Sequence, residues 1–279
     1  MSDANDTKNV RAGLTRNESL LLSSLSEKSK TIFRIEDIIH DLECSYGYAK
    51  VLVNNLRKKK WVILLKRGVY LIVPLSAGVK PRYTEHEFVI ASHLVSPYYI
   101  GYWSALNFYK FTEQTPFTVF VATTKRVSNG EVLNIRYSFI TLSKRKFFGF
   151  APTAIGTYKI NISDREKTVA DALDHAEYCG GIHEVAKCLW NARGKVSIEN
   201  IVSYAERMGN TAIIKRLGYL VESLGIDMDA KILSRMRGMI SPGMSALDQT
   251  MPKKGTYNMR WNLLLNVSKE TLEELRRSI

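Results

Sequence analysis

The chain has 279 residues, 45% hydrophobic and 24% charged, which excludes a wholly disordered protein and suits ordinary globular domains. Forty Lys and Arg stand against 27 Asp and Glu, a net charge of +13 that favours polyanionic partners, nucleic acid first. Three cysteines (Cys44, Cys179 and Cys188) give no disulfide framework. The polar start and the lack of any run of about 18 apolar residues imply a soluble, cytoplasmic chain without membrane partners.

Residues 1–13 are polar and are expected to be a disordered tail. Residues 14–74 then carry three helical patterns and a strand pair. The first helix spans about Thr15–Ser26, opened by a Thr15/Glu18 capping box and buried through Leu20, Leu21, Leu22 and Leu25. Thr31, Ile32 and Phe33 form a short extended piece. In the second helix, Ile35–Leu42, the apolar set Ile35, Ile38, Ile39 and Leu42 falls at i, i+3, i+4, i+7. A turn ends at Ser45, a good N-cap. The third helix runs from Tyr46 to Lys60, with Ala49, Leu52, Val53 and Leu56 on one face and Lys50, Val51, Asn54 and Lys58 on the other. Trp61–Leu65 and Val69–Val73 read as two strands joined by Lys66-Arg67-Gly68, a hairpin with a basic tip.

Seven of the chain's basic residues lie between Ser45 and Arg67, and no Asp or Glu interrupts them. Helix, turn, helix and tight hairpin, with the charge on the last helix and the tip, predict a winged helix-turn-helix over residues 14–74. Tyr46, Tyr48, Lys50 and Asn54 are candidates for base edges. Lys58, Lys66 and Arg67 are candidates for phosphates, and Ser45 caps the recognition helix. A winged helix serving protein contact is the alternative. Dipole stabilisation also accounts in part for Arg57 and Lys58–Lys60 at a helix end.

The run PLSAGVKP, Pro74 to Pro81, is rich in breakers, and residues 75–82 are expected to be a linker. Residues 83–279 form a second domain, mixed α/β with a helical C-terminal part, so the fold class is α+β. Its expected elements are helices at Thr84–Val95 and Trp103–Tyr109, then strands at Phe117–Thr123, Asn134–Thr141 and Tyr158–Ile162, with a turn at Asn129-Gly130. Ser163 with Glu166 reads as a second capping box. Helices follow at Glu166–Glu177, Ile182–Arg193, Ile198–Met208, Thr211–Ser223 and Met228–Met236. One strand-like run, Asn258–Asn266, precedes a final charged helix at Lys269–Arg276.

The sequence resembles the AbiEi antitoxins and related transcriptional regulators of type IV toxin–antitoxin and abortive-infection systems. The resemblance rests on Val53-Asn54-Asn55-Leu56 with Trp61, on Arg67-Gly68-Val69-Tyr70, and on the stretch Tyr98 to Leu106 followed by Phe111-Thr112-Glu113-Gln114. Pro116 with Val119 to Thr123, Ser163 to Asp171, Leu247-Asp248, Gly255, Asn258, Arg260 and Trp261 extend it. Phe111 departs from the pattern, where a small turn residue is expected nearby. The resemblance implies a winged helix that represses its own operon at inverted repeats. It also implies a second domain that counters a nucleotidyltransferase-like toxin without needing to touch it.

Other readings compete. His175, Cys179, His183 and Cys188 are zinc-ligating types, but their spacing lacks the close pairs of zinc sites and Gly180-Gly181 interrupts it, so no metal or other cofactor is expected. Asp164, Glu166, Lys167, Asp171 and Asp174 raise a metal-dependent nuclease guided by the winged helix. They lie along one helix start, however, where capping explains two of them and Lys167–Asp171 reads as an ordinary i, i+4 pair. A stand-alone ligand-sensing regulator is the third alternative. The aromatics from Tyr98 to Phe111 read as core rather than as a stacking platform. Lys125, Arg126, Lys144, Arg145 and Lys146 form a second basic set that could meet RNA. The expectation is therefore a non-enzymatic, operator-binding repressor that is also an antitoxin.

Overall fold

The computed structural model describes residues 11–78 and 83–267. They form a mixed α+β protein with ten α-helices and three sheets among the described residues, in two compact units. Of the described residues, the first unit comprises 11–78 and 83–96 with 131–135 and 154–159. The second comprises 97–130, 136–153 and 160–267. The expected final helix at Lys269–Arg276, residues 1–10 of the expected tail and residues 79–82 of the expected linker lie outside the described residues.

In the first unit the order is α1 (Arg16–Glu27), β1 (Ile32–Arg34), α2 (Ile35–Leu42), α3 (Tyr46–Lys58), β2 (Val62–Lys66), β3 (Val69–Ile72) and α4 (Glu87–Leu94). The capping box of α1 is present: Thr15 accepts from the Glu18 amide, and Glu18 accepts from the Thr15 amide at 2.7 Å. Glu43 ends α2 in the left-handed conformation, and Ser45 starts α3 by accepting from the Tyr48 amide at 3.3 Å. The sheet order is β1-β3-β2, all antiparallel, with a bulge between Leu64 and Lys66. Leu21, Leu25, Phe33, Ile38, Leu52, Leu56, Val62 and Tyr70 fill the core between the helices and this sheet. Residues 11–13, read from sequence as tail, are held. Arg11 donates to the Pro74 carbonyl at 2.6 Å, and the Trp61 indole donates to the Ala12 carbonyl at 2.9 Å.

The chain from Pro97 onward, most of it the second unit, forms β4 (Tyr99–Ile100), α5 (Tyr102–Phe108), β5 (Thr118–Thr123), β6 (Gly130–Val132), β7 (Ile135–Thr141), β8 (Phe150–Ile155) and β9 (Tyr158–Ser163). Their sheet order is β6-β7-β5-β4-β9-β8. The turn before β7 falls at Leu133-Asn134, both with positive φ, rather than at Asn129-Gly130, because a tight hairpin needs left-handed backbone at both central residues. The helices α6 (Arg165–Asp174), α7 (Gly181–Ala192), α8 (Ile198–Met208), α9 (Thr211–Leu224) and α10 (Ala230–Gly238) follow. The N-cap of α6 is Asp164, which accepts from the Lys167 amide at 2.7 Å, and not Ser163. Ser163 is still in β9, and its hydroxyl meets Thr168 at 2.7 Å. The run Asn258–Asn266 is two strands, β11 (Thr256–Asn258) and β12 (Leu263–Leu265), which form a small sheet with β10 (Ser245–Ala246). Tyr99, Tyr102 and Phe111 are buried in the core of this unit, as read from the sequence. Among the described residues no helix is long and apolar enough to cross a membrane.

Candidate nucleic-acid interface

Ala49, Leu52, Val53 and Leu56 turn one side of α3 into the core, which dictates what the other side presents. At about 100° per residue, Gly47, Val51, Asn54 and Lys58 fall within about 60° of one another, opposite that buried stripe. All four are exposed. They form a crest about 16 Å long at 1.5 Å rise per residue. Tyr46, Lys50 and Arg57 flank it on one side, with the Lys50 ammonium 5.6 Å from the Tyr46 ring and the Arg57 guanidinium donating to the Asn54 side-chain Oδ1 at 3.5 Å. Tyr48 and Asn55 flank it on the other, and the Tyr48 hydroxyl accepts from Asn17 of α1 at 2.7 Å.

The sequence-predicted residues divide by what they touch. Tyr46, Tyr48, Lys50, Asn54 and Lys58 stand on the exposed side of α3, and Ser45 caps it. Arg67 is exposed at the β2–β3 turn, which Gly68 closes at φ 78°. Lys58 and Arg67 have no acidic partner among the described residues. Lys66 differs: it is half-buried, and its ammonium donates to the Leu94 carbonyl at 2.5 Å, which ties β2 to the end of α4. Lys59 is likewise engaged, 2.5 Å from Glu18. Burial opposes charge on Glu18, but the hydrogen bonds from Lys59 and Thr15 outweigh it and hold the carboxyl below its ordinary range. Gly47 was missed in the sequence. An added Cβ there would meet only Ser45 Oγ, at 3.9 Å, so the fold itself does not require glycine.

Hydrogen bonds divide the second basic set too. β5 and β7 run parallel in register Thr123↔Thr141, so Lys125, Arg126 and Lys144 follow the same end of the sheet, and all three are exposed. Arg145 instead donates to the Arg207 carbonyl at 2.8 Å and caps the end of α8. Lys146 is half-buried and 2.6 Å from Asp174.

The carboxylates of α6 are all engaged by protein. Asp164 caps the helix and accepts from Tyr204 at 2.9 Å. Glu166 accepts from the Ser197 amide at 3.0 Å. Asp174 takes Lys146 and Asn210. Lys167 and Asp171 form the i, i+4 pair read from the sequence, and the structure buries it. Both side chains are essentially fully buried and in direct contact, and the Tyr99 hydroxyl donates to Asp171 at 2.8 Å. Burial pushes the Asp171 carboxyl up even beside the Lys167 ammonium. Among the described residues no three His, Cys, Asp or Glu side chains come together as a metal site. Cys179 and Cys188 are buried, and burial pushes both thiols up.

Fold and surface together define a mixed α+β protein that presents a basic, acid-free helix face and an exposed hairpin arginine. No family model matches the chain, and no curated protein matches it in sequence. Among solved structures it is similar to the crystal structure of the Rv2827c protein from Mycobacterium tuberculosis. The TM-score is 0.67 at 12% identity, over 96% of this chain and 97% of that one. At that identity the likeness shows a shared fold.

Proposed function

We propose that α1 to β3 act as a winged helix-turn-helix that binds duplex DNA, and that the chain is a transcriptional repressor of its own operon. α3 is the recognition helix in this reading, and the β2–β3 hairpin is the wing. The observation that carries the reading is the exposed crest of α3, Gly47, Val51, Asn54 and Lys58. It is flanked by Tyr46 and Lys50 and accompanied by Arg67 at the hairpin tip, with no acidic residue from Ser45 to Arg67. An α-helix fits the major groove, hydrogen-bonding ends read base edges, and counter-ion-free cations meet phosphates. Lys66 drops out of the phosphate set because the Leu94 carbonyl holds it.

The resemblance to AbiEi antitoxins supports a second role, antitoxin of a type IV pair whose partner is a nucleotidyltransferase-like toxin. That role would belong to the second unit, where Lys125, Arg126 and Lys144 are the candidate contacts with a polyanion. Two experiments test the proposal. Titration with DNA from upstream of the gene is expected to show tighter binding than a scrambled duplex. Co-expression with the adjacent gene is expected to restore growth that this gene alone arrests. Equal binding to both duplexes removes the repressor role, and unrelieved arrest removes the antitoxin role.

A further inference from the structure

The crest of α3 contains one residue that neither the fold nor a phosphate backbone calls for. Val51 is 57% exposed and faces away from the stripe that carries the core. Valine is a poorer helix former than alanine or lysine because branching at Cβ restricts χ1. Water gains nothing from its two methyl groups. A lone exposed apolar residue is common on protein surfaces, so exposure alone decides nothing, and position has to. Val51 lies one turn after Gly47, where the backbone is open, and one turn before Asn54. It also lines a depression of about 330 Å³ with Tyr48, Leu52 and Asn55 of α3 and with Arg16, Asn17 and Glu18 of α1. Along α3 the exposed polar neighbours of this apolar group are Tyr48, Asn54 and Asn55, on the helix proposed to enter the groove.

In the major groove one base presents an apolar group of matching size, the C5-methyl of thymine. We propose that Val51 reads a thymine methyl, next to a base pair read by Asn54, and that Gly47 lets the helix come close enough for that contact. The inference rests on the DNA-binding reading of α3. The restricted χ1 of valine favours it, since the γ-methyls are already placed before binding.

The test uses the full-length protein and the duplex it enriches from a randomised library. Each thymine of that duplex is replaced in turn by deoxyuridine, which removes the methyl and keeps the Watson–Crick edge. One thymine per half-site is expected to weaken binding about three- to fivefold on replacement, the size expected for one methyl group withdrawn from apolar contact. Val51→Ala should lower affinity for the thymine duplex and abolish the thymine–uracil difference. Asn54→Ala should relax specificity at the neighbouring pair while keeping that difference. Wild-type binding indifferent to every replacement overturns the inference and leaves the DNA-binding reading intact. An unchanged thymine–uracil ratio in Val51→Ala does the same. Failure to enrich any sequence overturns both.

Discussion

Replacing Lys167 by methionine isolates the buried ion pair of the second unit. The ammonium and the Asp171 carboxylate are 0% and 1% exposed, so neither has water to fall back on. Gly149 crosses the Lys167 stem so closely that an added Cβ would lie 3.0 Å from Lys167 Cβ, and the Phe148 ring sits 5.2 Å from the ammonium. Methionine keeps most of the stem packing and removes the charge. Asp171 then retains one side-chain donor among the described residues, the Tyr99 hydroxyl. An uncompensated buried charge of this kind costs about 3–5 kcal/mol. The second unit holds Trp103, Trp190 and Trp261, so urea unfolding followed by tryptophan fluorescence reports mainly on it. The deficit should be smaller near pH 4 than at pH 8. Without Lys167 the folded Asp171 carboxyl lies above its unfolded value, so stability is lost as pH rises through that interval and recovered below it. Removing all three polar partners, Lys167→Met with Asp171→Leu and Tyr99→Phe, should recover most of the loss. A loss below about 1 kcal/mol in Lys167→Met would show that the pair is solvated and the reasoning wrong.

Gly47→Ala should raise stability by about 0.5 kcal/mol, the modest gain of alanine over glycine in a first helical turn with open space around it. The same change should weaken DNA binding severalfold, and unchanged binding would remove Gly47 from the interface. Asp41 joins α2 to α1. Burial disfavours its charge, but hydrogen bonds from Lys28, His40 and Ser24 bring its pKa to about 2. A depressed carboxyl contributes stability above its unfolded value of 3.8, and that contribution fades as pH falls towards 2. Lys28 is 43% exposed, and screening leaves about 1–2 kcal/mol. Asp41→Asn should therefore lose about that much at pH 7 and only a small part of it at pH 2 by urea titration. Lys58→Ala with Arg67→Ala should weaken binding on every sequence and reduce the slope of log affinity against log salt by about 2. A sequence-selective loss would assign these residues to bases instead.

Much of the fold is legible where local chemistry decides it. Ile35, Ile38, Ile39 and Leu42 set the bounds of α2, and the Thr15/Glu18 box sets the start of α1. The missed strands are those with weak local signals. β8 contains Pro152 and lies at a sheet edge, where a proline is tolerated but the sequence pattern is lost. β4 is two residues long, and β6 is a three-residue edge strand. The run Asn258–Asn266 looked continuous because its break is a backbone event, Asn262 at φ 49°. A unit assembled from separate stretches of chain leaves no local mark of its limits. In the candidate interface, the helix face was legible from periodicity, since Lys50, Asn54 and Lys58 alternate with the buried stripe. The engagement of Lys66 was not, because its acceptor, the Leu94 carbonyl, lies 28 residues away. The spacing of Lys167 and Asp171 is equally compatible with a surface pair and a buried one. Only the Gly149 backbone and the Tyr99 hydroxyl distinguish them.

We propose that the crest of α3 and the hairpin tip form a sequence-reading DNA surface. The direct measurement is a gel-shift titration of the intact protein and of Lys50→Ala/Asn54→Ala/Arg67→Ala on upstream DNA and on a scrambled duplex, at two salt concentrations. Preferential, salt-sensitive binding is expected of the wild type, with loss of that preference in the triple variant, which stays folded because all three residues are exposed. Equal weak binding to both duplexes, or a triple variant that binds like the wild type, would contradict it.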